Sequence, residues 1–126
     1  MTEPRRCLGW FALLSCVSIS ACGGTPSSPS GNQATITIGP SGVTPKEVRI
    51  RRFNGVMFVN NDTRPHTIAS DPVELHSDCP PINYVGFLSP GDSRSTLSFT
   101  EARTCGFHDH NNEFNESLQG RIIVED

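Results

Sequence analysis

Nine residues near the C-terminal end, Thr104-Cys105-Gly106-Phe107-His108-Asp109-His110-Asn111-Asn112, carry the densest chemistry in this chain of 126 residues. They hold two of its four histidines and a cysteine three positions before the first. Two imidazoles at i and i+2 share one face of a strand, about 7 Å apart at Cα, and both can swing toward one metal ion. An isolated His-x-His is equally a pair of solvated residues at a strand end. The other two histidines, His66 and His76, and the elements that position all four therefore decide what the stretch is for.

The bulk composition narrows the class. With 35% hydrophobic residues, 11 Gly and 10 Pro, the chain suits one small domain rather than two. A formal charge of −3 argues against nucleic acid as a partner. The Arg49, Arg51, Arg52 group is expected to be one solvated strand face.

At the N-terminus, Arg5 and Arg6 precede an apolar run from Leu8 to Ile19. That run is too short for a membrane span, which needs about 20 apolar residues, and it closes on a small-residue cleavage pattern. Residues 1–21 are therefore expected to be an export signal. Ile19-Ser20-Ala21-Cys22 resembles a bacterial lipobox, which implies lipidation at Cys22. Leu13-Leu14-Ser15-Cys16 fits the same pattern with a very short apolar region, and a simple cleaved signal is the plain alternative. Residues 22–33 are rich in Gly, Ser and Pro and are expected to form a lipid-anchored flexible tether. The domain of residues 34–126 is then expected to be a monomer, membrane-anchored at the bacterial cell envelope and facing the periplasm or the cell exterior.

Cys7 and Cys16 would leave with the expected signal, and Cys22 would carry the anchor. Only Cys79 and Cys105 remain in the domain, an even pair in an oxidising compartment, so a disulfide is the default expectation. The competing reading makes one of them a thiolate metal ligand.

Strand signals fill the domain. Ala34 to Ile38 alternates, Glu47 to Arg52 alternates with Val48 and Ile50 inward, and Asn54-Gly55 supplies hairpin chemistry into Val56 to Asn60. That third strand is apolar on both faces, as a mid-sandwich strand should be. Thr67 to Ser70, Val85 to Leu88, Ser93 to Thr100 with Leu97 and Phe99 inward, and Gly120 to Glu125 complete the set. Between them, Asp71 to Asn83 is a long loop with no regular period, carrying His76 and Cys79, and such loops are usually functional. Seven or eight short strands with no helix-length amphipathic segment argue an all-β, Greek-key β-sandwich.

Val59-Asn60-Asn61-Asp62-Thr63-Arg64-Pro65-His66-Thr67, Leu88-Ser89-Pro90-Gly91-Asp92-Ser93, Phe99-Thr100 leading to Thr104 and Phe107, and Gly120 with Ile122 to Val124 together resemble the cupredoxins, the plastocyanin-like copper proteins. The match runs from about Ile36 to Val124. In that family the histidine after the Asn-rich turn is a copper ligand, which carries over to His66. The other ligands come from a C-terminal loop with a Cys, a His and usually a Met. Here the pattern departs: the ligand-cysteine position falls near Asp109, and nothing from there to Gly120 is Met or Cys. The resemblance therefore implies a divergent lipoprotein branch whose copper site uses His66, His76, His108 and His110.

A site without thiolate should bind Cu(II) in a tetragonal, non-blue manner, with Zn(II) the other ion it would accept. A Cys79–Cys105 disulfide would tie the loop bearing His76 to the strand bearing His108. Were Cys105 a thiolate ligand beside His108 instead, a blue site would return. Alternation poses a conflict: Phe107 inward sends Cys105 and Asp109 the same way and turns His108 and His110 to the opposite face. A bulge or a longer terminal loop would relieve it. Asp109 itself is left to orient a ligand, bind metal or face solvent. The expected role is electron transfer or copper handling with a redox or copper-donor protein as partner, and not an enzyme. A metal-free β-sandwich binding module and a copper enzyme with an open all-histidine site are the alternatives.

Overall fold

The computed structural model describes residues 33–126, so the signal, Cys22 and nearly all of the tether lie outside the described residues. The described chain runs β1 (Ala34–Gly39), β2 (Gly42–Thr44), β3 (Glu47–Arg51), β4 (Val56–Asn60), β5 (His66–Ser70), a single helical turn α1 (Pro80–Asn83), β6 (Gly86–Leu88), β7 (Ser93–Ser95), β8 (Arg103–Asp109) and β9 (Gly120–Glu125). Nine strands among the described residues thus replace the seven or eight expected. They form two sheets, β2-β1-β4-β7 and β3-β9-β8-β5-β6, packed as a sandwich. β1–β4 and β3–β9 pair in parallel, the mark of connections that cross between sheets.

The hairpin expected at Asn54-Gly55 does not form, because β3 and β4 belong to different sheets. The connection is a corner: Phe53 takes a positive φ of 65°, its N–H donates to Phe99 O at 2.7 Å, and the chain passes into the other sheet. Ser93 to Thr100 also departs from expectation. Only three residues are strand, and Leu97 is 52% exposed. Thr96 turns inward instead, its hydroxyl accepting from Val56 N at 3.0 Å, and Leu97 N donates to Pro81 O at 3.2 Å. Those bonds break the two-residue period before Phe99 returns to the core.

Elsewhere alternation places the core. Val48 and Ile50 of β3, Val56 and Phe58 of β4, and Ile122 and Val124 of β9 point between the sheets. Phe58 and Phe107 meet edge to face with ring centroids 5.1 Å apart. Gly120 lies opposite Phe107, where a Cβ would come within 2.5 Å of that ring, so the last strand must open on glycine. On the solvent side Arg49 pairs with Glu125 at 2.7 Å and Arg52 with Asp126 at 2.9 Å, as a solvated face requires.

The register of β8 fixes the chemistry. Cross-strand partners share a face. Cys105 opposite Ile122, Phe107 opposite Ser70 and Asp109 opposite Ile68 look into the sandwich. His108 opposite Ala69 and Gly106 opposite Arg121 look out. β8 continues as regular strand to Asp109, so the alternation conflict is not relieved by a bulge. Instead the loop after β5 comes over the outer face to meet His108.

Candidate metal centre

That loop is closed at its neck. Asp78 N donates to Asp71 O at 2.9 Å and Cys79 N to Ser70 Oγ at 2.8 Å, while the Cys79–Cys105 disulfide fastens the returning chain to β8 with 5.7 Å between Cα atoms. Cys105 is therefore half of a staple and not a thiolate ligand. Asn83, at the end of α1, accepts from Ser70 N at 2.8 Å and donates to His76 O at 2.7 Å. His76 N donates to Pro72 O at 2.8 Å, and the residue sits at φ 50°, in the left-handed region. For a non-glycine residue that conformation costs about 1–2 kcal/mol. Strain of this kind is held where the surrounding bonds over-determine it, and here it fixes the place from which the imidazole reaches the sheet.

His76, His108 and His110 converge there. Each offers one ring nitrogen, and the three lie within 4.8 Å of one another, with ring centroids 4.9 to 6.3 Å apart. His108 is fully buried, His76 intermediate and His110 exposed at the start of a 3-10 turn whose cap is Asp109. His108 Nδ1 donates to Asp71 Oδ1 at 2.7 Å. A carboxylate oxygen only accepts, so Nδ1 carries the proton and Nε2 keeps its lone pair. His108 Nε2 and His76 Nε2 are both buried with no hydrogen-bond partner. An orphaned buried polar atom costs on the order of 1–3 kcal/mol, and two beside a third imidazole are what a nitrogen-ligated ion would satisfy. The donor set fits such an ion, and exposed His110 gives it an entry path.

His66, expected as a ligand of the same site, is not brought to it. Its ring lies on the inner face at the end of the sandwich, with Nδ1 2.7 Å from Asp109 Oδ2 and Nε2 3.0 Å from Asp62 Oδ2. Both ring nitrogens thus face carboxylates of the sandwich end rather than the three-histidine cluster. Asp109 occupies the position that the resemblance gives to the ligand cysteine. Its Oδ1 accepts from Thr67 N and Asn111 N, each at 3.0 Å, so of its three candidate roles the orienting one is seen, toward His66. A thiolate-type copper centre does not fit this end of the sandwich.

Asp62 and Asp71 escaped the sequence reading. Burial pushes the Asp62 carboxyl up, but hydrogen bonds from His66, Arg64 and the Thr63 N–H outweigh it and bring its pKa from 3.8 down to about 2. A carboxyl depressed on folding stabilises the fold fully above its unfolded pKa and ceases to as pH falls through the folded one. The urea midpoint should accordingly fall between about pH 4 and pH 2, and Asp62→Asn should flatten that part of the profile while lowering stability at neutral pH. An unchanged slope in the variant would contradict this assignment.

No family model matches the sequence, and the search of curated proteins found no match to it. Solved structures do match. A purple cupredoxin from Nitrosopumilus maritimus superposes with a TM-score of 0.57 at 19% identity, over 74% of this chain and 100% of that one. The Cu(I) form of an amicyanin methionine-to-alanine mutant gives 0.55 at 19% identity, over 74% and 82%. A mutant fern plastocyanin gives 0.57 at 17% identity, over 73% and 100%. The fold is therefore that of the cupredoxins, an all-β sandwich, as the sequence motifs implied.

Proposed function

We propose that this chain is a copper-binding protein of the cell envelope that holds one ion through His76, His108 and His110 and serves in handling that ion. The observation that carries the reading is the pair of buried, partnerless Nε2 atoms of His76 and His108 beside His110. The copper-bearing neighbour of the same fold supports the choice of metal. So does the higher affinity of nitrogen donors for Cu(II) than for Zn(II). Copper handling is favoured over electron transfer because no thiolate or thioether joins the three imidazoles, and a nitrogen-only site prefers different geometries for Cu(II) and Cu(I). The partner is then a protein that gives or takes copper at exposed His110. Export and anchoring rest on the sequence of residues 1–33, which would hold the domain at a membrane surface. The reading is of a binding protein rather than an enzyme.

Titration of the purified protein with Cu(II), followed by EPR and melting temperature, tests this. One equivalent should give a tetragonal EPR signal and a pale complex without intense visible colour. Mass action should stabilise the fold by about 2.7 kcal/mol at a hundredfold excess over Kd. A melting temperature indifferent to Cu(II) would instead favour a metal-free sandwich.

A further inference from the structure

The Asp71 carboxylate lies where only glycine at position 106 allows it. A Cβ on Gly106 would stand 2.1 Å from Asp71 Oδ2 and 3.0 Å from its Cγ. Gly106 and His108 are i and i+2 on the outer face of β8, so the carboxylate lies along the strand, above the glycine, to reach His108 Nδ1. The backbone of Asp71 is held independently of its side chain. Its N–H donates to Gly106 O at 3.1 Å and its carbonyl accepts from Asp78 N at 2.9 Å. The loop neck therefore does not need the carboxylate, which leaves its function to be sought at His108.

We propose that Asp71 is a positioning residue for the metal ligand His108, and that Gly106 is the cradle that seats it. This rests on the reading of His76, His108 and His110 as the copper centre. The carboxylate fixes the His108 tautomer, so that Nε2 is the lone-pair nitrogen, and locks the ring with that atom facing His76. A negative partner also makes the imidazole a stronger donor toward a cation. Without it, His108 divides between two tautomers and more than one ring orientation, and only part of the population presents Nε2 to the ion.

The test uses the full chain with Asp71→Asn, Asp71→Ala, Gly106→Ala and the Asp71→Ala/Gly106→Ala pair. In the metal-free protein, nitrogen-15 NMR should find His108 in the single Nδ1–H tautomer and Asp71→Ala should give a mixture. Cu(II) affinity measured calorimetrically should fall about 10- to 100-fold in Asp71→Ala and less in Asp71→Asn, whose amide oxygen still accepts. The EPR signal of Asp71→Ala should become heterogeneous. Gly106→Ala should weaken binding as Asp71→Ala does, and the pair should be no worse than either single change, because both remove one interaction. An unchanged His108 tautomer in Asp71→Ala, affinity within about twofold of the parent, or additive losses in the pair would overturn the proposal. If the parent shows the single tautomer yet binds no Cu(II), the copper reading fails while the orienting role of Asp71 stands.

Discussion

Substitution of His108 by alanine is expected to weaken Cu(II) binding by at least about a hundredfold, since even the groups that orient a ligand are worth 10- to 100-fold. No other single side chain is as central to the site. His108 is fully buried, its Nδ1 is committed to Asp71, and its Nε2 is buried without a hydrogen-bond partner. His110→Ala should cost less, because that ring is exposed and water can take its coordination place. The metal-free His108→Ala protein should melt close to the parent. The change opens space beneath the loop, yet it also removes an orphaned nitrogen and returns Asp71, already 42% exposed, to water. Calorimetric titration measures the affinity and a thermal melt the stability. Loss of both together would mean that His108 serves the fold rather than a metal.

Replacing both Cys79 and Cys105 with alanine is expected to have the largest effect on stability. The bridge closes a 26-residue separation, and in the chain-entropy model that constraint is worth about 3.5 kcal/mol. For a domain of this size the melting temperature should fall by about 15–25 °C. Both residues are buried, so the loss should show in the unliganded protein at neutral pH. Copper affinity should fall as well, by less than on loss of a ligand, because the bridge fastens the neck of the loop that presents His76. A melting temperature within about 5 °C of the parent would show that hydrogen bonds at the neck suffice without the bridge.

Much of this arrangement can be read from the chain. Two-residue alternation identifies Val48 and Ile50 as inward-facing, and the same rule applied from Phe107 turns Cys105 and Asp109 in and His108 out. The even pair of cysteines pairs as expected. What is not legible is which sheet each strand joins. Asn54-Gly55 carries hairpin chemistry, but the decision to cross at that corner is made by long-range bonds such as that from Phe53 to Phe99 O. Leu97 fails for the same reason, since Thr96 bonds to β4 and breaks the period.

The four histidines looked like one site because family likeness gave His66 a ligand's role and local spacing grouped His108 with His110. The outward turn of His108 separates the sets: His66 is held by Asp62 and Asp109 inside the sandwich, and the other three gather outside it. Asp71 was missed because it is distant in sequence from His108 and sits before a proline, where a turn role is sufficient explanation. One signal was available in Gly106. A glycine inside a strand marks close approach by another group, and the group proves to be the carboxylate that orients the neighbouring ligand.

Copper is thus expected on the outer face of the five-stranded sheet and not at the end of the sandwich where His66 lies. An anomalous-difference map from copper-loaded crystals, recorded at the copper edge, tests this most directly. One strong peak should stand about 2 Å from the Nε2 atoms of His76 and His108, with His110 closing on it and the His66–Asp109 bond intact. A peak beside His66 and Asp109, with that bond broken, would contradict it.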